Sequence, residues 1–273
     1  MEKTKIRFIE KQTTWEDMPV LKREYMETLA SVLDAFWDGN VYQSNPYVLM
    51  EEGGQVAGFY AIGTDWAGHK ILTAYYMRKR YLRYAQRRLE RIISEHSLYG
   101  ALVPSCDEEM VSLCMEKMKE WNTTFDMQAY NFCYSKDVEV RKAEFGPETI
   151  RKVPATEYLE ANKKTEGQWE ENLGEEGFEL YKLIWENEVY GYAGVVRHKL
   201  DPSCVDIGNY VIQEHRRKGV GRSLLIHMTN RVLESENIPT VGCWYYNHNS
   251  KRTIESSGYV SKTRIFYVKF QQE

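Results

Sequence analysis

One stretch constrains this 273-residue chain more than any other, namely residues 210–225, which read YVIQEHRRKGVGRSLL. The pattern predicts a buried strand, then a basic glycine loop, then a helix. Arg216, Gly219 and Gly221 have the spacing Arg-x-x-Gly-x-Gly, and glycine lets a backbone turn sharply and approach a ligand closely. The first amides of a helix have no intrahelical partner and lie at the positive end of its dipole. The stretch therefore predicts an anion site, most naturally for a pyrophosphate.

The order of predicted elements occurs twice along the chain. Strands predicted at 47–51 and 56–62 flank Gly53-Gly54 as a hairpin, and those at 178–185 and 189–196 form a second hairpin. We therefore predict an α+β fold of two tandem units, each with a mixed, mostly antiparallel sheet flanked by helices. The expected domains are residues 1–135 and 136–273, and the charged segment 136–148 is the expected linker.

The first copy has lost the glycine loop. Where the second copy has RKGVG at 217–221, the first has YLRYA at 81–85. Bulky side chains there would fill the space that a pyrophosphate needs, so we expect only the second copy to bind a nucleotide cofactor.

Three further patterns predict local structure. Apolar residues recur with a helical period from Trp15 to Trp37, and Gly39-Asn40 is expected to end that helix. A helix is predicted from Asp107 to Lys119, capped near Ser105 or Asp107. Residues from Pro154 to about Leu173 are expected to be helical.

Composition excludes several functions. The net charge of -4 gives no general attraction to nucleic acid, and the seven basic residues from Arg78 to Arg91 are expected to form a solvated helix face. The five cysteines are odd in number and lack metal-ligand spacing, which favours reduced thiols, a cytoplasmic location and no metal site. No apolar run approaches 18 residues, so no membrane span is expected.

The second half resembles the GNAT (GCN5-related N-acetyltransferase) family in residues 211–224, and Asn247 and Gly258-Tyr259 support the likeness. The resemblance is good over about 149–273 and weak over 1–135, as in tandem GNAT proteins with one degenerate copy. The resemblance implies acetyl-CoA as co-substrate. It also implies that the loop binds the pyrophosphate of acetyl-CoA and that an asparagine contacts the pantetheine arm. The expected cofactor-binding residues are Tyr210, Val211, Arg216, Arg217, Lys218, Gly219, Val220, Gly221, Arg222 and Asn247.

The catalytic residues are predicted less directly. The family often has a tyrosine as proton donor for the thiolate at the position that Ile254 occupies here. Tyr245 and Tyr246 are our substitutes for that acid. Asp206 and Asn209 are candidates for the base or for a water-holding group, and strand alternation puts them on opposite faces.

The resemblance thus favours an acetyl-CoA-dependent N-acyltransferase whose C-terminal copy is active on a small-molecule amine or a peptide. We expect a monomer, although the sequence leaves a dimer open. Two alternatives stay open, a non-catalytic CoA-sensing or scaffolding module and a tandem-GNAT aminoacyl or peptidyl transferase. Asn247 could also be only a turn or cap residue, and Asn249 is the expected cap of the next helix.

Overall fold

A computed structural model describes residues 6–116, 118 and 120–270 of the chain. The contacts divide these residues into two compact units. The first contains residues up to 31, 37–129 and those from 263 onward, and the second contains 32–36 and 130–262.

The first unit is a mixed sheet with helices. Its strands pair in the order β1-β2-β3-β4-β5, followed by residues 263–269 of the last strand. All these pairs are antiparallel except β4–β5, which is parallel. The elements are β1 Phe8–Gln12, α1 Pro19–Thr28, α2 Ala35–Tyr42, β2 Asn45–Glu51, β3 Val56–Thr64, β4 Lys70–Met77, α3 Ala85–His96, β5 Gly100–Pro104 and α4 Glu108–Glu116.

The second unit repeats this plan. Its strands pair in the order β6-β11-β10-β9-β8-β7, and β10–β11 is parallel. The elements are β6 Thr124–Tyr134, β7 Ile150–Lys152, α5 Tyr158–Lys164, β8 Phe178–Trp185, β9 Glu188–Arg197, β10 Cys204–Val211, α6 Val220–Glu234, β11 Ile238–Trp244, α7 His248–Glu255 and β12 Tyr259–Lys269. The predicted fold class, two units with mixed and mostly antiparallel sheets, is confirmed.

The compact units do not coincide with the two sequence segments at their last strands. Residues 130–134 of β6 belong to the second unit, and residues 263–269 of β12 pair with β5 in the first. Each unit therefore contains part of a strand that follows the other copy in sequence. The expected domains, residues 1–135 and 136–273 with a linker at 136–148, stay a prediction.

Two helix predictions were wrong in extent. The single helix expected from Trp15 to Trp37 is two helices, because α1 ends at Thr28 and the next residue is extended. The Ala30 amide then donates to the carbonyl of Cys106 at 3.1 Å instead of continuing the helix. Gly39-Asn40 does not end a helix either, since both residues lie inside α2.

The structure also differs from the predicted helix at 154–173, whereas it has the predicted cap of α4. Residues 154–173 contain α5 between two short 3-10 turns rather than one helical region. Asp107 caps α4, because its Oδ1 accepts from the Met110 amide at 2.9 Å. The predicted end of that helix at Lys119 lies outside the described residues.

The sheet of the second unit is buried on both faces. Leu224, Leu225 and Met228 of α6 pack on one face, against Val205 and Ile207 of β10. Trp169 and Phe178 belong to a separate cluster, which also contains Leu180 and Tyr192. This arrangement fixes β10 and the start of α6 relative to each other, and the candidate site lies there.

Candidate functional site

Strands β10 and β11 separate part of the way along. Their parallel pairing covers only Cys204–Asp206 with Ile238–Thr240. Strand β10 then continues to Val211, paired on its other side with β9, and β11 continues to Trp244. In the described residues, no further pairing joins the two strands. Beyond Asp206 and Thr240, the facing edges of two neighbouring strands are therefore available to a ligand.

The predicted glycine loop follows β10 directly. Arg216 is extended, and Arg217 and Gly219 both have left-handed backbones, with φ of 64° and 80°. Helix α6 then begins at Val220, and no side chain caps its first amides. Left-handed backbone is costly for arginine, so the chain accepts strain here to form a sharp turn. The turn presents uncapped amides at the positive end of a 15-residue helix.

Neighbouring residues of this unit leave no room for a Cβ atom at either glycine of the loop. A Cβ on Gly221 would lie 2.7 Å from Nδ2 of Asn209 and 3.3 Å from Val211, so glycine here lets α6 approach β10. A Cβ on Gly219 would lie 2.2 Å from Cγ of Glu144. Glu144 also contacts Arg222 through an ion pair of 2.8 Å.

A cleft of about 1380 Å³ runs along the loop, β10 and α7. Nine of the ten predicted cofactor residues line it, as does Asn209. The exception is Lys218, whose Nζ lies 5.5 Å from the ring centroid of Tyr190 and 3.4 Å from His215. The nine residues are Tyr210, Val211, Arg216, Arg217, Gly219, Val220, Gly221, Arg222 and Asn247.

Asn247 lines the cleft and caps α7. Its Oδ1 accepts from the Ser250 amide at 3.1 Å. This capping bond uses only the oxygen, so the Nδ2 group can donate to a ligand at the same time. The prediction that Asn249 caps this helix was wrong, because α7 begins at His248.

The catalytic candidates are spread over several places. Asn209 lies in the cleft wall, on the α6 side of the sheet. Asp206 does not line the cleft, and its Oδ1 accepts from the hydroxyl of Thr240 at 2.9 Å. That hydroxyl lies 3.2 Å from Nε2 of His198, which is buried, so a carboxylate, a hydroxyl and an imidazole form a chain.

Neither tyrosine candidate lines the cleft. The ring of Tyr245 stacks on Tyr130 with centroids 5.2 Å apart, and Tyr246 is 80% exposed. Ile254 is buried in the core of the unit, packed with α6 residues, so nothing at this position could donate a proton. The neighbouring thiol of Cys243 is no better as an acid or nucleophile, because burial raises its pKa to about 11.

Sequence reasoning missed several residues of the cleft. Arg141 belongs to the segment after β6, Arg252 belongs to α7, and Gln168 precedes the buried Trp169. The only signal for Arg141 was its place in a charged linker. Arg252 gave no signal, because a surface arginine on a short helix does not by itself indicate a ligand site.

The first copy has a different backbone at the equivalent place. A 3-10 helix, Lys79–Tyr84, leads directly into α3, and Tyr81 is only 2% exposed. The expected solvated basic face was wrong in part. Arg78 pairs with Glu24 at 2.8 Å, and Arg88 is buried beside Glu10. Burial lowers the pKa of Arg88.

Family models and solved structures agree with this architecture. A model described as Acetyltransferase (GNAT) domain matches residues 14–135, and one described as Acetyltransferase (GNAT) family matches 147–259. The chain is a tandem protein of two such domains, and it belongs to the GNAT family. No curated protein sequence matches the chain.

Three solved structures have the same fold at low sequence identity. A GNAT acetyltransferase from Colwellia psychrerythraea is 17% identical, with 96% of this chain and 99% of that chain covered and a TM-score of 0.76. A tandem GNAT protein from the clavulanic acid biosynthesis pathway is 13% identical, with coverages of 98% and 99% and a TM-score of 0.65. A GCN5-related N-acetyltransferase from Sphaerobacter thermophilus is 12% identical, with coverages of 97% and 96% and a TM-score of 0.60.

The described residues lack two kinds of feature. None of their helices has the length and apolar character needed to cross a membrane. Within the same residues, no group of three or more histidine, cysteine, aspartate or glutamate side chains could hold a metal ion.

Proposed function

We propose that the second unit binds acetyl-CoA in its cleft and transfers the acetyl group to an amine. The observation that carries the proposal is the continuity of the cleft, from the uncapped amides of α6 to the wall of β10. An anion site and an unpaired strand edge at one cleft suit a ligand with a pyrophosphate at one end and an amide-containing arm at the other.

Each part of the cleft has a proposed role. The amides from Gly219 to Arg222 and the guanidinium of Arg217 bind the pyrophosphate. Asn247 Nδ2 and the edge of β10 from Asn209 to Val211 bind the pantetheine arm through hydrogen bonds. Held in this way, the thioester carbon stays beside the incoming amine, which removes much of the entropic barrier.

The reaction needs little further chemistry. The lone pair of a neutral amine attacks the thioester carbonyl carbon, and donors at the β10 edge stabilise the tetrahedral oxyanion. The C–S bond then breaks, the amide forms, and the amine loses a proton. We propose that Asp206, linked through Thr240 to His198, accepts that proton through water, since Asp206 does not itself line the cleft. Tyr245 and Tyr246 stay candidates for the acid that protonates the thiolate.

The acceptor is proposed only as an amine, either a small molecule or a peptide. Exposed carboxylates follow α5, and they would favour a cationic acceptor by long-range attraction. They are Glu170, Glu171, Glu175 and Glu176, of which Glu175 pairs with Lys199 at 3.6 Å.

Thermal unfolding with and without acetyl-CoA tests the binding step. A ligand present at 100 times its Kd stabilises the folded state by about 2.7 kcal/mol, which raises the melting temperature by several degrees. We expect this shift for the wild type and its loss in Arg216→Glu/Arg217→Glu. The matched control, Arg80→Glu/Arg83→Glu, makes the same charge change at the equivalent loop of the first copy and should keep the shift. A wild type that does not respond to acetyl-CoA would refute the proposal.

A non-catalytic CoA sensor is the second candidate, and the buried Ile254 favours it. Such a protein would show the same thermal shift but would release no thiol from acetyl-CoA with any amine. Thiol release across a broad amine panel separates the two functions. An aminoacyl or peptidyl transferase would instead be indicated by a folded protein that does not bind CoA.

A further inference from the structure

The cleft of the second unit carries more positive charge than a pyrophosphate loop requires. Five arginines line it, together with two glutamates. Three of the arginines belong to the loop and the first turn of α6. The other two are Arg141, from the segment after β6, and Arg252, from α7.

Arg141 and Arg252 are held close together by the backbone. The amide of Arg141 donates to the carbonyl of Ser256 at 3.1 Å. The amide of Ser256 donates in turn to the carbonyl of Arg252, also at 3.1 Å. The two arginines therefore flank the last turn of α7, and both side chains are exposed to the cleft.

Their guanidinium groups differ from two of the three nearer the loop, which are engaged by the protein. Arg222 pairs with Glu144 at 2.8 Å, and Arg216 Nε donates to the carbonyl of Val211 at 3.2 Å. Within the part of the chain that the structure describes, the side chains of Arg141 and Arg252 make no hydrogen bond or ion pair. Two neighbouring cations that lack protein partners form a suitable place for a doubly charged phosphate, which guanidinium groups bind in bidentate fashion.

The two glutamates in the cleft do not close this place to an anion. Glu255 pairs with Lys251 at 3.9 Å, on the same helix. Glu139 is exposed and contributes one negative charge to the cleft lining. The arginines outnumber the acids, and the cleft attracts anions on balance.

The connecting segment limits how far Arg141 can lie from the loop. Arg141 is bonded to the end of α7, and three residues later the Glu144 amide donates to the buried Ser223 hydroxyl in the first turn of α6, at 3.0 Å. Three residues span at most about 10 Å, so the backbone of Arg141 lies within about one nucleotide length of the start of α6. In CoA, the 3′-phosphate and the pyrophosphate are attached to the same ribose.

We propose that Arg141 and Arg252 bind the 3′-phosphate of CoA and make the second unit select CoA thioesters over their 3′-dephospho forms. The inference rests on the proposed function, since it assumes that the pyrophosphate lies at the α6 loop. It adds the connecting segment to the ligand site, because that segment supplies Arg141.

Calorimetric titration with CoA and with dephospho-CoA tests the inference. Charge-assisted hydrogen bonds from two arginines should make the wild type bind CoA roughly tenfold to a hundredfold more tightly than dephospho-CoA. Arg141→Ala/Arg252→Ala should lower the CoA affinity to that of dephospho-CoA and leave the dephospho-CoA affinity nearly unchanged. The control Lys142→Ala/Lys262→Ala removes the same charge from exposed positions of the same unit and should preserve the preference.

A second measurement needs no variant. Adenosine 3′,5′-bisphosphate should displace CoA from the wild type at a lower concentration than adenosine 5′-monophosphate does. Equal wild-type affinity for CoA and dephospho-CoA would overturn the inference and leave the proposed function standing. The same would follow if Arg141→Ala/Arg252→Ala lowered the affinity for both ligands by the same factor. A wild type that binds neither ligand would overturn both.

Discussion

A buried carboxyl in the first unit makes a quantitative prediction about stability. Glu109 lies in the first turn of α4, and its Oε1 is buried without a hydrogen-bond partner in the described structure. Burial, and then the negative charge of Asp107, raise the pKa of Glu109 from its ordinary 4.5 to about 8. Near neutral pH the folded protein therefore keeps this carboxyl protonated, whereas the unfolded chain ionises it.

The sign and size of the effect follow from this difference. Between pH 4.5 and 8 the folded state holds a proton that the unfolded state has lost, so stability is full below 4.5 and falls as pH rises toward 8. One pKa unit corresponds to about 1.36 kcal/mol, so the loss from Glu109 is at most about 4 kcal/mol between pH 5 and pH 8. Burial also raises the pKa of Asp107 to about 6, which adds a loss of the same sign at lower pH.

Glu109→Gln tests the reasoning, because glutamine cannot ionise. The free energy of unfolding, measured by urea denaturation at pH 5 and pH 8, should fall by a few kcal/mol for the wild type and much less for the variant. Glu108→Gln makes the same charge change at an exposed neighbour and should follow the wild type. Parallel pH profiles for Glu109→Gln and the wild type would refute the argument.

Four further variants probe the second unit. Gly194→Ala should lower stability by about 1–3 kcal/mol in thermal denaturation, because its Cβ would lie 2.4 Å from Nε1 of Trp169, whereas Gly208→Ala, at 3.3 Å, should cost less. Ser223→Ala removes the hydroxyl that accepts from two linker amides, so it should cost about 1–3 kcal/mol and speed hydrogen exchange of those amides. Asn247→Asp should keep the α7 cap and hence the melting temperature, but weaken acetyl-CoA binding in calorimetry, because it adds a negative charge to the cleft.

The sequence predicts the fold and the loop well because their signals are local. Strand β10, the loop and α6 are consecutive in the chain, and they occur in the predicted order, with α6 beginning at Val220. Each depends on glycine conformation, apolar periodicity and helix-end chemistry, which act over a few residues. The same applies to the hairpins that mark the two copies.

Features that depend on distant partners were not predictable. The helix expected from Trp15 ends early because Ala30 bonds to Cys106, a residue far along the chain. Arg141 reaches the cleft because Ser223 and Ser256 hold the linker, and no local pattern indicates that contact. Tyr245 stays a candidate acid by its position, but the stacking of its ring on Tyr130 from another strand had no local signal. In each case the decisive partner is a tertiary contact.

The absence of the glycine loop from the first copy is a matter of packing as much as of missing glycines. Tyr81 is 2% exposed and packs edge-on against Phe8, with ring centroids 5.9 Å apart, and the hydroxyl of Tyr75 donates to the carbonyl of Ala85 at 2.9 Å. Arg83→Gly/Ala85→Gly would restore the Arg-x-x-Gly-x-Gly spacing in the first copy. The buried Tyr81 would still fill the space that a pyrophosphate needs.

In an Arg216→Glu/Arg217→Glu background, we therefore expect Arg83→Gly/Ala85→Gly to bind no acetyl-CoA in calorimetry. It should also lose about 1–2 kcal/mol of stability, because glycine is a poor helix former. Arg83→Ala in the same background is the control, because it removes the same charge without adding a glycine. Recovery of binding by the two glycines would show that the backbone alone, and not the buried Tyr81, decides which copy holds the cofactor.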